Sequence, residues 1–188
     1  MLQRIGEYGK CVEIAGFRGV KFSEAEAFLK KYREETHVNL ELQFFDARLV
    51  ATSRHLYFAA LNALQAFANK TNISKSLAVE TMLYASAQRQ IQKAIRRCGI
   101  KPQTTIMAAL IIGENPVEIK SVHEAIKVCV GMVPDETVLE MSRAKAEEIM
   151  EAFQIKAEEV NAVIKDGNLD AAVVSLVVER VALLATQL

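Results

Sequence analysis

Residues 53–113 read SRHLYFAALNALQAFANKTNISKSLAVETMLYASAQRQIQKAIRRCGIKPQTTIMAALIIG, and two periodicities meet inside them. From Ser53 to Asn69 the residues Leu56, Ala60, Ala63, Leu64 and Phe67 fall on one stripe at helical period, which predicts a long helix. TNISKSL breaks it, and a second helix restarts near Ser76 and runs to about Tyr84. Ser86 opens a third, Ala87 to Cys98, which stops at Gly99, a natural residue for the position after a helix, with Pro102 close behind. Thr104 to Ile112 is β-rich and apolar throughout, so it reads as a strand covered on both faces.

Outward from this block, Lys10 to Phe17 (KCVEIAGF) alternates in part and reads as a strand. Ser23 is a good N-cap with Glu26 three residues on, and SEAEAFLKKYREE makes a helix with Phe28 and Tyr32 at i, i+4. Leu40 to Phe45 reads as another strand, ending at Asp46. After the turn residues GENP the rest is helical: about Lys120 to Val128, Ser142 to Phe153, Lys156 to Lys165 and Asn168 to Leu188. The first nine residues carry no signal. The expectation is a mixed α/β fold in a single domain over 1–188. Its α/β core, about 10–130, holds a small central sheet of three to four strands flanked by helices, and about 131–188 form a helical C-terminal part.

The chain has 188 residues, 51% of them apolar and 24% charged, an ordinary globular balance. MLQRIGEYGK lacks the apolar core of a signal peptide, and the run Ile106 to Ile112 is too short to cross a bilayer, so a soluble, cytoplasmic protein is expected. Cys11, Cys98 and Cys129 are widely spaced with no C-x-x-C pair and read as small buried hydrophobes. His37, His55 and His123 show no metal-binding spacing, so no metal is expected. Formal net charge is zero but unevenly spread. Ala47 to Lys101 holds nine Lys or Arg against one acid, Glu80, leaving 14 basic and 22 acidic side chains elsewhere. A segment at +8 in a chain otherwise at −8 suits a polyanion such as nucleic acid.

The Ala87–Cys98 helix carries most of the functional information. At 100° per residue, Ala87, Ile91, Ala94, Ile95 and Cys98 share a face expected to pack inward. Arg89, Lys93, Arg96 and Arg97 share the opposite one. No acid stands at i+3 or i+4 to pair with them, so they repel one another unless a partner or counterions intervene. Arg54, Lys70, Lys75 and Lys101 add to this charge. No catalytic set emerges: Glu80 is a lone carboxylate, His55 has no nucleophile at a recognisable offset, and there is no P-loop or G-x-G-x-x-G. The chain is therefore read as non-catalytic, with no cofactor. The last helix is apolar almost all round, which fits either a core helix or burial against a partner subunit.

The order of these features resembles the KEOPS regulatory subunit family, also called the PRPK-binding protein family. The resemblance rests on Asp46 closing a strand, His55 on an Ala-rich helix, Ile73 and Ser74 in the break, Glu80, Tyr84, Arg89-Gln90-Ile91, Ala94 and Gly99-Ile100. FQIKAEEV from Phe153 and VVERVALL from Val177 to Leu184 also fit, so it runs from about residue 10 to the end. It implies a subunit without an active site that binds the small atypical protein kinase/ATPase of KEOPS. Another subunit of that assembly transfers a threonylcarbamoyl group to the adenosine beside the anticodon of ANN-decoding tRNAs. Archaeal members also look like tRNA recruiters that hold the single-stranded 3′ CCA end, which would be gripped by phosphate contacts and base stacking. Carried onto this sequence, that implies Arg54, Lys75, Arg89 and Lys93 for phosphates, and Ile73, Leu77 and Tyr84 for an apolar surface under a terminal base. Glu80 and Gln90 are implied for polar contacts to ribose or base edges. For the kinase it implies Val177, Val181 and Leu184, joined by the helix from Ser53. A protein-only adaptor of the kinase without direct RNA contact is the alternative.

Overall fold

The computed structural model describes residues 2–35, 40–130 and 133–186. Its centre is a five-stranded antiparallel sheet of β1 (Leu2–Ile5), β2 (Lys10–Arg18), β3 (Glu41–Asp46), β4 (Ile106–Gly113) and β5 (Val133–Pro134). Strand order is β1-β2-β4-β3, with β5 paired to β2 beyond the end of β1. β2 and β4 form the spine, in register from Cys11↔Gly113 to Arg18↔Ile106. β3 pairs with β4 from Glu41↔Ile112 to Asp46↔Met107. The sheet is four strands wide, as expected, and counts five because β1 and β5 are short edge pieces sharing one side of β2. β1 is delivered by a turn at Gly6–Tyr8 with Gly9 at φ 62, a left-handed conformation that glycine adopts without strain.

The two-residue period of β4 explains its uniformly apolar sequence. Ala108, Leu110 and Ile112, with Val12, Ile14 and Phe45, face one core; Met107, Ala109 and Ile111, with Ala15, Phe17, Leu42 and Phe44, face another. The second core is closed by α1 (Phe22–Glu35) and α5 (Pro116–Val130). The first and larger core is closed by α2 (Ser53–Ala68), α3 (Leu77–Ser86), α4 (Ile91–Cys98), α6 (Arg143–Phe153), α7 (Ala157–Val163) and α8 (Leu169–Leu183). Between β5 and α6 a 3-10 turn, Glu136–Leu139, crosses β2 so closely that a Cβ at Gly16 would meet the Asp135 carbonyl oxygen at 2.4 Å.

Local chemistry sets the element ends. Ser76 caps α3 by accepting from Val79 N, as Ser142 caps α6 by accepting from Lys145 N and Asn168 caps α8 by accepting from Ala171 N. Glu41 of β3 reaches the α3 N-terminus, where Oε2 accepts from Ala78 N at 3.0 Å and Ser76 Oγ at 3.1 Å; a carboxylate is favoured at that end of the helix. The third helix of the central block starts at Ile91, not at Ala87. Ala87 adopts φ 49 and ends α3 with Gln88 N donating to Leu83 O, so its left-handed turn breaks the expected helix. The last helix is regular to Leu183 and ends in a 3-10 turn, Leu184–Thr186; the remainder of its expected span, 187–188, lies outside the described residues, as do His37 and the side chain of Cys129.

Candidate functional site

Asp46 is fully buried at the end of β3 and caps the 3-10 turn Ala47–Leu49. It accepts from Arg48 N at 3.2 Å, from Arg48 Nε at 3.0 Å and from Thr104 Oγ1 at 3.1 Å. Thr104 in turn accepts from Lys101 N at 2.9 Å, so the 101–104 turn is tied to the sheet. His55, also fully buried, bonds through both ring nitrogens. Ala51 N donates to Nδ1 at 3.2 Å, and Nε2 donates to Ala85 O at 2.8 Å. Burial pushes its pKa down to about 4, against the opposing bond to Ala85, and the nearby Lys145 charge lowers it further. A neutral imidazole locked by two backbone groups has no free nitrogen for catalysis.

Glu80 is 1% exposed, and Oε2 accepts from Ile73 N at 3.0 Å and Ser74 N at 2.7 Å. It shapes the 69–76 loop from inside, and its carboxylate is withdrawn from any ribose or base at the surface. Leu77 and Tyr84 are buried too, and Tyr84 titrates high because of burial and the Glu80 charge, with Arg89 opposing. Of the residues assigned to RNA, Ile73, Lys75, Arg54, Arg89, Gln90 and Lys93 are exposed. Ile73 and Lys75 precede α3 and Arg89 and Gln90 follow it, so a ten-residue helix, about 15 Å long, separates them. Arg54 lies at the start of α2, next to His55, whose ring reaches Ala85 near the end of α3. The Arg54 guanidinium sits 5.4 Å from the Phe58 ring centroid in an open 660 Å³ hollow lined by Gln3, Arg4, Ser53, Tyr57 and Phe58.

α4 departs from its amphipathic expectation. Ala94 and Cys98 reach the core, but Ile91 is 41% and Ile95 50% exposed. Arg97, counted on the basic face, turns back instead: Nη1 donates to Ser86 O at 2.8 Å and the guanidinium lies 5.4 Å from the Phe153 ring centroid. Ile95 and Gly99 line a 1020 Å³ groove between α1 and the α3–α4 pair, with Phe44, Val79 and Met82 among its walls. Sequence reasoning missed this exposed isoleucine pair, because a helical stripe does not reveal how wide a face its neighbours cover.

Val177, Val181 and Leu184, assigned to a partner, are 0%, 0% and 2% exposed within this chain. α8 packs on α2 and is clasped by α6 and α7, with Arg180 donating to Phe153 O at 3.2 Å and to Glu159 Oε1 at 2.6 Å. Those three residues belong to the core, which corrects their assignment as a direct contact. The arc α8 leaves outside holds Ser175, Glu179, Ala182 and Leu183. Among the described residues no three His, Cys, Asp or Glu are grouped to hold a metal, and no helix is long and apolar enough to cross a membrane.

Residues 17–185 match the family described as kinase binding protein CGI-121. Over 143 residues the chain is 30% identical to a "Regulatory protein Cgi121" of Methanocaldococcus jannaschii, covering 76% of this chain and 84% of that relative. The buried residues of the middle block (Asp46, His55, Glu80 and Ala94) fix the backbone of the helices that carry the exposed ones. With that match over most of its length, the chain belongs to the kinase-binding CGI-121 family, the KEOPS regulatory subunits.

Proposed function

We propose that this chain is a non-catalytic subunit of the KEOPS tRNA-modifying assembly that docks the small kinase and holds the single-stranded 3′ CCA end of tRNA. One observation supports the RNA part: α4 carries two exposed isoleucines beside exposed Lys93 and Arg96, whose side chains make no ion pair among the described residues. Apolar surface flanked by cations suits a strand whose bases are unstacked and whose phosphates face outward. With Glu80, Leu77 and Tyr84 inside, the contacting set becomes Ile91, Ile95, Arg89, Gln90 and Lys93, and Ile73 and Lys75 form a separate patch.

For the kinase, the outer face of α2 takes the place of the buried α8 positions. Arg54, Tyr57, Phe58 and Leu61 lie there at helical spacing, partly or fully exposed. Arginine and aromatic side chains of this kind are the residues that anchor protein interfaces. Tyr57→Asp is expected to abolish co-elution with the kinase while the thermal unfolding midpoint stays within a few degrees of wild type. Unchanged co-elution would remove the α2 face.

The tRNA half is tested with full-length tRNA and the same tRNA lacking CCA, across a salt series. Loss of binding on trimming supports a 3′-end recruiter. Absence of binding to either, with kinase co-elution intact, would make the chain a protein-only adaptor.

A further inference from the structure

α4 is a ridge with different ground on its two sides. Toward α1 lies the groove lined by Ile95 and Gly99, with an apolar floor at Phe44, Val79 and Met82 and charged α1 side chains, Glu26, Lys30, Arg33 and Glu34, on its far wall. Toward α6 lies an open basin of about 390 Å³ lined by Gln88, Lys93, Arg96, Arg97 and Lys101, with only Leu49 and Ala152 as apolar lining. Four cations and no acid line it. Asp46, the nearest buried carboxylate, is taken up by Arg48 and Thr104, and Glu148 and Glu151 of α6 are exposed without lining the basin.

The basin is held in shape by its surroundings. Arg97 is fixed by Ser86 O and the Phe153 ring, and Lys101 sits on the turn tied through Thr104 to Asp46. Arg97 is half-buried, met by the Ser86 carbonyl and the Phe153 ring but by no carboxylate among the described residues, and burial lowers its pKa. An anion in the basin supplies the counter-charge. No aromatic ring lines the basin, so cationic groups dominate what it offers a ligand.

We propose that this basin is a phosphodiester site gripping the backbone of an RNA strand laid across α4, with Lys93, Arg96, Arg97 and Lys101 meeting its phosphates while a base enters the groove on the other side. The inference rests on the RNA-binding reading above and adds Arg96, Arg97 and Lys101 to it. A helix about 10 Å across is narrow enough for a few nucleotides to span it. The two sides then divide the work: the basin binds any sequence, and the groove responds to what stands at the strand's end.

The test compares wild type, Arg96→Gln/Lys101→Gln and Ile95→Ser, all as the full chain, for binding to tRNA and to CCA-trimmed tRNA from low to moderate salt. Arg97 is left intact because it holds α4 in place. The double variant is expected to bind both RNAs at least about tenfold more weakly. Its slope of log affinity against log salt should fall by roughly 1.4 to 1.8, because each lost phosphate contact removes about 0.7–0.9. Ile95→Ser is expected to weaken binding only to intact tRNA and to leave the slope unchanged. If wild type binds and the folded double variant keeps its slope, the basin proposal is overturned while the RNA reading stands. If wild type binds neither RNA at low salt, the RNA reading itself fails and takes the basin with it. A phosphorus NMR titration with inorganic phosphate separates the sources: broadening lost in the variant, with RNA affinity unchanged, would assign the basin to a free anion and overturn the proposal.

Discussion

His55 joins the loop before α2 to the end of α3 through both ring nitrogens, and that bond set works only while the ring is neutral. In the unfolded chain its pKa returns to about 6.5, whereas the folded value is about 4. Between those values the unfolded chain takes up a proton that the folded chain refuses. The stability His55 contributes is therefore complete above about pH 6.5 and is lost as pH falls toward 4, by about 3 kcal/mol in all. Urea unfolding from pH 7.5 to 4.5 should show this loss in wild type and a flatter profile in His55→Gln. Parallel profiles would disprove the assignment. Glu80→Ala, which leaves the Ile73 and Ser74 N–H groups without an acceptor, should cost about 1–3 kcal/mol in the same assay. Cys98 offers a simpler readout, since burial raises its pKa to about 12. Thiol reagents should label it only on unfolding, and fast labelling of Cys98 in the native chain at neutral pH would contradict its placement.

At the scale of elements, α4 and α8 exchange the roles their sequences suggest. α8, apolar all round, is enclosed by helices of its own chain, so Val181→Asp should destabilise the protein by more than about 4 kcal/mol rather than cut a partner contact. A soluble, stably folded Val181→Asp protein would refute the core placement. α4, amphipathic on paper, sends only Ala94 and Cys98 inward and leaves two isoleucines outside, so Ile91→Ser should change stability by no more than about 0.5 kcal/mol. The helix periods were legible in the sequence, as were the restart near Ser76 and the strand read at Thr104 to Ile112, found at Ile106–Gly113, because local spacing encodes them. The length of α4 was not, since it depends on one left-handed alanine, and alanine gives no warning of that conformation. The burial of Glu80 was hidden as well: its partners are backbone N–H groups, which every residue but proline carries.

For the whole molecule, the uneven charge seen in the sequence survives folding but divides. Arg54 and Arg4 gather by β1, Lys75 stands before α3, and Lys93, Arg96 and Lys101 surround the basin. A count along the chain carries no distances, so it did not show that α3 stands between Lys75 and the α4 cations. The mixed α/β class and its helical C-terminal part were readable from the alternation of periods. The edge strands β1 and β5 were not, because they are four and two residues long and pair with β2 only through contacts distant in sequence or at its turn. The sheet lies between the α1–α5 layer and the larger helical layer, and the groove beside α4 opens where α1 meets α3 and α4. Its spine, β4, is covered on both faces and paired on both edges. Amides from Ala108 to Ile111 should therefore trade hydrogen for deuterium only when the entire chain opens. They make a clock within the molecule: a substitution on α2 or α4 that silences binding yet leaves that clock slow has touched a surface, and one that speeds it has touched the fold.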